Sequence, residues 1–134
     1  MSNRDLPEST VEWLSLVRYQ MMMAAQQASL GRPLYAFALN SAQDAVESAL
    51  SLVIQAVGGD VKARPDFLQS FDEAIKHGDD PDALKVFRPS LNAMNNARVS
   101  FKHHGNTPDE AAVKRHTARA VEFIEALTQQ VFGT

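Results

Sequence analysis

Apolar residues recur along most of this chain at intervals of three and four, which is the spacing of one face of an α-helix. The clearest stripes comprise Val11, Leu14, Val17, Met21, Ala24 and Ala28; Leu39, Ala42, Val46, Leu50, Val53 and Val57; and Val113, Ala120, Phe123, Ile124, Leu127 and Val131. No segment alternates apolar and polar residues between turn residues, as a strand would. The pattern therefore predicts an all-α protein.

Glycine and proline mark the ends of the predicted helices, because glycine suits the left-handed position after a helix and proline the first helical position. The long predicted helices span about 7–30, 33–57, 89–104 and 108–132, and shorter ones lie at about 65–77 and between Pro81 and Pro89. We expect Asp80 and Thr107 to cap the helices that follow them. The chain, residues 1–134, is thus expected to form a single domain, an antiparallel bundle of four long helices plus one or two short helices.

The first predicted helix carries a second, less apolar stripe, which consists of Trp13, Leu16, Met23, Gln27 and Leu30. A helix with two apolar sides packs against its own bundle on one side. The other side either widens the contact with the core or faces a second subunit. The sequence leaves both alternatives open.

Composition narrows the class of protein. Hydrophobic residues make up 45% of the chain and charged residues 22%, as in ordinary globular proteins. There is no long apolar run, so we expect no membrane contact, and the first ten residues lack the apolar core of a signal peptide. Because cysteine is also absent, we expect a cytoplasmic protein. A net charge of -3 argues against a generally basic nucleic-acid binder but allows a local basic site.

Such a local basic site is predicted between residues 86 and 108, where no aspartate or glutamate occurs. The basic residues of this window are Arg88, Arg98, Lys102, His103 and His104. On an ideal helix Arg98 and His103 lie about 140° apart, so they are not neighbours. They can meet on one ligand only if a side chain swings round the helix or a second copy takes part.

Arginine presents a planar fork that matches phosphate, and histidine exchanges protons near neutral pH. Asparagines can orient a phosphate or a base edge without adding charge, and Asn95 and Asn96 lie one turn upstream. These are the groups needed to cleave a phosphodiester without a metal or other cofactor. The same cations also suit the last turn of a helix, where they complement the helix dipole. Both interpretations remain open.

The segment NNARVSFKHHGN, placed just before the last predicted helix, resembles the HEPN superfamily (the higher eukaryote and prokaryote nucleotide-binding domains). That family is a bundle of four main helices with an R-x4-6-H motif late in the chain, which Arg98 and His103 match. The resemblance implies metal-independent RNA cleavage by a homodimer whose two motifs meet across the interface. It also implies a toxin–antitoxin or antiphage role, with a nucleotidyltransferase-type antitoxin as a possible partner. Other members are non-catalytic modules that bind a nucleotide or a partner protein.

The resemblance gives each candidate residue a role. Arg98 would hold the phosphate and His103 would act as acid and base. The substrate-binding candidates are Asn95, Asn96, Lys102 and His104. The polar residue that the family often carries in its second helix would be Asp44 or Glu47, although a solvated helix face is the simpler explanation of both. The family often has a polar residue after the motif arginine, and here that residue is Val99.

No metal site is expected. The acidic loop at Asp79, Asp80 and Asp82 has too few oxygen ligands at the required spacing for calcium, and we interpret it as the cap of the following helix. Consecutive histidines on a helix diverge, so His103 and His104 do not form a zinc site either.

Overall fold

The structure is a computed structural model that describes residues 6–59 and 66–134. These ranges contain α1 (Glu8–Ala28), a 3₁₀ segment (Leu34–Ala36), α2 (Phe37–Ala56), α3 (Phe67–Ile75), α4 (Pro81–Lys85), α5 (Arg88–His104) and α6 (Glu110–Phe132). No strand occurs within them. The prediction of an all-α helical bundle is confirmed.

The helix α2 is the centre of the bundle and packs against α1, α3, α5 and α6. Its apolar stripe is buried from Leu39 to Val53, whereas Val57 is 40% exposed. A second focus of packing is Phe123 on α6, whose ring lies 5.2 Å from that of Phe71 and 5.6 Å from that of Phe87. The helix α1 packs against α2 and α6, and α5 packs against the same two helices and α3. The bundle therefore places α1 and α5 on different sides of the α2–α6 pair.

The second stripe of α1, predicted either to widen the contact with the core or to face a second subunit, is partly buried and partly exposed. Trp13 is half-buried against the core, and Gln27 accepts a hydrogen bond from the Ser41 hydroxyl of α2. Leu16 and Leu30, by contrast, are 63% and 44% exposed. The stripe is therefore not simply a wider core face. Contact of its exposed part with a second subunit stays a prediction.

Two long helices begin later than predicted. The chain after Pro33 first forms 3₁₀ structure, and regular α2 starts at Phe37. The prediction that Thr107 caps α6 is wrong: Asp109 is the cap, and its carboxylate accepts the Ala112 N–H at 3.2 Å. The Pro108 carbonyl instead accepts a hydrogen bond of 2.8 Å from the Tyr35 hydroxyl. This hydrogen bond connects the 3₁₀ segment to the residues just before α6.

Two further local predictions, a cap and a break between helices, are confirmed. The carboxylate of Asp80 accepts the Ala83 N–H at 3.3 Å and caps α4. The break before Pro89 is present, because α4 ends at Lys85 and α5 begins at Arg88. The predicted start of the third helix at Pro65 lies outside the described residues. Among the helices of the described ranges, none combines the length and apolar character needed to cross a bilayer.

Candidate functional site

The inward stripe of α5 contains an arginine. Leu91 and Met94 are fully buried, and Arg98 lies seven residues after the first and four after the second. Because i, i+4 and i, i+7 positions share one face of a helix, Arg98 continues the buried stripe. Its neighbours Ala97 and Phe101 are half-buried and pack against the core. Arg98 itself is half-buried, at the edge of the buried face.

The guanidinium of Arg98 has unused hydrogen-bonding capacity. Its Nε is buried and has no hydrogen-bond partner. Arg98 forms no ion pair with any carboxylate of the described residues. A buried donor without a partner costs about 1–3 kcal/mol, so a site that retains one is unusual. Arg98 is therefore disposed to accept an anionic ligand.

The helix α2 packs against α5. The ring of Phe37, the first residue of α2, lies 5.9 Å from that of Phe101, one turn before the end of α5. The start of α2 therefore lies beside the last turns of α5. Asn40 follows Phe37 by three residues and Arg98 precedes Phe101 by three residues, so each lies about one turn from this contact.

Two amides on this part of α2 also have buried oxygens without partners, namely Oδ1 of Asn40 and Oε1 of Gln43. Gln43 is fully buried, and its Nε2 donates to Oε1 of Glu47 at 3.2 Å. Buried amide acceptors and a buried guanidinium donor thus occur on facing helices.

The predicted supporting residues occupy the outer edge of this region. Asp44 and Glu47 are both exposed, and Glu47 bonds Gln43 without pairing with a cation of the described chain. Sequence reasoning chose them for their charge and missed Asn40 and Gln43. The available signal was the spacing of Phe37, Asn40 and Gln43, which at intervals of three lie along one side of the second helix.

The last turn of α5 carries the other candidate cations. Lys102, His103 and His104 are all exposed, and the helix stays regular until Gly105, which adopts the left-handed conformation with φ 66°. Because no relaxation of the last turn occurs before Gly105, the rotation of about 140° between Arg98 and His103 is retained. The structure therefore does not bring these two residues together within one chain. Below, Arg98, Lys102, His103 and His104 are called the basic end of α5.

Asn95 and Asn96, the remaining substrate-binding candidates, lie one turn before the basic end. Asn95 is half-buried and Asn96 is exposed. Val99, the position that departs from the family pattern, is 40% exposed. Its side chain points to solvent and leaves the position of Arg98 undisturbed.

Arg88, the first cation of the acid-free window, has a structural partner. Its Nε and one terminal nitrogen donate to the two carboxylate oxygens of Asp72 on α3, at 2.9 and 3.0 Å. The hydrogen bond from Arg88 lowers the pKa of the Asp72 carboxyl, and the same bond raises the pKa of Arg88. Arg88 thus ties α3 to α5 and is separate from the candidate site.

His116 on α6 is half-buried, and burial together with the nearby charge of Arg115 lowers the pKa of its imidazole. This residue is therefore biased towards the neutral form.

Two clefts formed by the described residues lie away from the basic end. One of about 380 Å³ opens between α1 and α6 beside Leu14 and Ile124, and one of about 440 Å³ lies between the start of α1 and the end of α2 beside Trp13 and Leu52. Neither is lined by the basic end. In the part of the chain that the structure describes, no three His, Asp or Glu side chains are grouped so that they could hold a metal ion.

We compared this chain with models of protein families, with curated proteins and with solved structures, and none of them matched it.

Proposed function

We propose that this protein is a HEPN-like, metal-independent endoribonuclease that acts as a homodimer. The observation that carries the proposal is Arg98, a cation placed in the buried stripe of α5 with its Nε desolvated and unpartnered. An apolar residue would stabilise the bundle more simply at this position. A charge that costs stability is a mark of a binding or catalytic group.

The chemistry follows from the residue types. The guanidinium of Arg98 holds the scissile phosphate through its planar fork and stabilises the charge that develops on it. The imidazole of His103 takes the proton of the ribose 2′-hydroxyl while that oxygen attacks phosphorus and the bond to the 5′-oxygen breaks. Once the leaving 5′-oxygen has been protonated, the products are a 2′,3′-cyclic phosphate and a 5′-hydroxyl. Lys102, His104 and the amides of Asn95 and Asn96 hold the flanking nucleotides.

The two motif residues act together in this proposal only if they come from different copies. Arg98 is half-buried and His103 is exposed, about 140° away on a helix that is regular through His104. One copy therefore supplies the arginine of a site and its partner supplies the histidine. By its resemblance, this proposal extends to a toxin–antitoxin or antiphage system in which a nucleotidyltransferase-type protein restrains the activity.

The test is cleavage of end-labelled RNA by the wild type and by Arg98→Ala and His103→Ala, each with and without EDTA. We expect the wild type to leave cyclic phosphate ends and to be unaffected by EDTA. Each substitution should lower the rate by about 10²-fold or more. Lys85→Ala is the matched control, since it removes an exposed positive charge from α4, outside the basic end. Activity that disappears in EDTA, or equal activity in all four proteins, would refute the proposal.

A second candidate function is a non-catalytic HEPN-like module that binds a nucleotide or a partner protein. The divergence of Arg98 and His103 within one chain favours it, because a binding site needs the arginine alone. In the same assay this function predicts RNA or nucleotide binding that depends on Arg98, with no cleavage and no effect of His103→Ala.

A further inference from the structure

An aromatic pair adjoins Arg98 at the end of the bundle. The rings of Phe37 and Phe101 meet nearly edge to face, with an interplanar angle of 79°. Phe101 is half-buried against the core, whereas Phe37 is 47% exposed. Leu34, in the preceding 3₁₀ segment, is 49% exposed. A large aromatic side chain is thus fixed on one side and open to solvent on the other.

The backbone beneath Phe37 is well anchored. Tyr35, two residues earlier, is buried, and its hydroxyl donates to the Pro108 carbonyl before α6. Phe37 itself is the first residue of α2, the most extensively packed helix of the bundle. A ring held in this way loses little conformational entropy when a flat ligand stacks on it.

The charges around the aromatic pair are positive and available. Arg98 precedes Phe101 by one turn and His104 follows it by one turn, so both lie on neighbouring positions of α5. The first two acidic residues after α5 in the sequence are already engaged. Asp109 caps α6, and Glu110 pairs with Lys114 at 3.3 Å. This end of the bundle therefore combines an open aromatic ring with a cation that has no carboxylate partner among the described residues.

We propose that Phe37 is the stacking platform for an unpaired base of single-stranded RNA whose phosphate is held by Arg98. This inference rests on the proposed function in that RNA is the ligand. Unpaired bases stack on aromatic side chains beside basic grooves, whereas the bases of a duplex are already stacked and unavailable. The site would thus select single-stranded over double-stranded RNA without reading sequence.

The exposed side of Phe37 suits a single base. A stable protein interface buries about 800 Å² on each partner, which is far more than the exposed side of one ring offers. From the 3₁₀ segment through the first turn of α2, the exposed large apolar side chains are Leu34 and Phe37. One nucleotide needs only a ring to stack on and a cation for its phosphate, and both are present.

The test uses a His103→Ala background, so that RNA stays intact, and fluorescence anisotropy with a labelled oligoadenylate, free or paired in a duplex. Phe37→Leu removes the ring but keeps an apolar side chain of similar bulk, and Phe37→Tyr keeps the ring. Leu16→Ala, at an exposed apolar position of α1, is the matched control. We expect Phe37→Leu to weaken single-strand binding about 10-fold, with duplex binding unchanged. The Tyr and Leu16 variants should bind within about twofold of their parent.

The platform is overturned if Phe37→Leu binds single strands as its parent does, weakens both RNA forms equally, or instead changes the sedimentation mass. The last result would identify a contact between copies. Failure of the platform and failure of the ribonuclease proposal are distinguishable. Cleavage that continues at the wild-type rate in Phe37→Leu would refute the stacking role of Phe37 alone. Single-strand binding that depends on Phe37, without any cleavage by the wild type, would refute the ribonuclease proposal alone.

Discussion

Arg98 lowers the stability of the bundle, because its Nε is buried without a partner, and the same donor is free to bind a ligand. The positions one and two turns before it, Met94 and Leu91, are fully buried, and the apolar stripe would continue through it. Sequence spacing gives the angle of a side chain around its helix, but how far that side chain is buried depends on the helices packed against it. For α5 these include α2, whose residues lie far away in the sequence.

We predict that Arg98→Leu stabilises the protein. Leucine fills the stripe and removes a buried donor that lacks a partner, so the free energy of unfolding in urea should rise by about 1 kcal/mol. RNA cleavage should fall by about 10²-fold in the same variant. Lys102→Leu, an exposed neighbour, should change stability by no more than about 0.5 kcal/mol. A clear loss of stability in Arg98→Leu would mean that the arginine supports the helix end, as the dipole interpretation holds.

At the scale of elements, the sequence predicts correctly the features that depend on residues within one turn. It fails where the outcome depends on a contact with a residue far away in the chain. Pro89, Gly105 and Asp80 each act on their own turn, and the structure places the break, the end and the cap where the sequence predicts them. Thr107 and Asp109 compete for one cap. The choice involves the Pro108 carbonyl, which is bonded to Tyr35 from 73 residues away. No pattern within the turn could show that contact.

The two sides of α1 give a matched pair of adjacent positions. Val17 is fully buried and Leu16 is 63% exposed. We predict that Val17→Ala lowers the free energy of unfolding by about 2 kcal/mol, since it removes packed methyl groups and leaves a cavity. Leu16→Ala should cost less than about 0.5 kcal/mol. A cost at Leu16 that grows with protein concentration would show that the exposed part of the stripe packs against a second copy.

At the scale of the whole molecule, the exposed apolar residues of α1 and the basic end of α5 lie on different helices. The exposed residues Leu16, Tyr19 and Met22 lie on α1, and Arg98 and His103 lie on α5, beyond α2 and α6. A dimer formed through α1 would keep the two basic ends apart. The ribonuclease proposal therefore requires pairing near the end of α5, and the arrangement of residues there decides which copy supplies which group.

We predict that Arg98→Ala and His103→Ala complement each other. In a site built from two copies, the mixed dimer has one site that lacks both groups and one that retains both. Co-expression of the two inactive variants in equal amounts should therefore restore about a quarter of wild-type cleavage, because half of the dimers are mixed and each has one intact site.

Mixing the wild type with an Arg98→Ala/His103→Ala double variant provides the control. If each site takes its arginine and histidine from different copies, mixed dimers are inactive and about a quarter of the activity remains. If both groups come from one chain, each mixed dimer keeps one site and about half remains. The rotation of about 140° between the two side chains on a regular helix favours the first result. Inactivity of the two single variants in combination, together with about half activity in the control, would instead place the complete site on one chain.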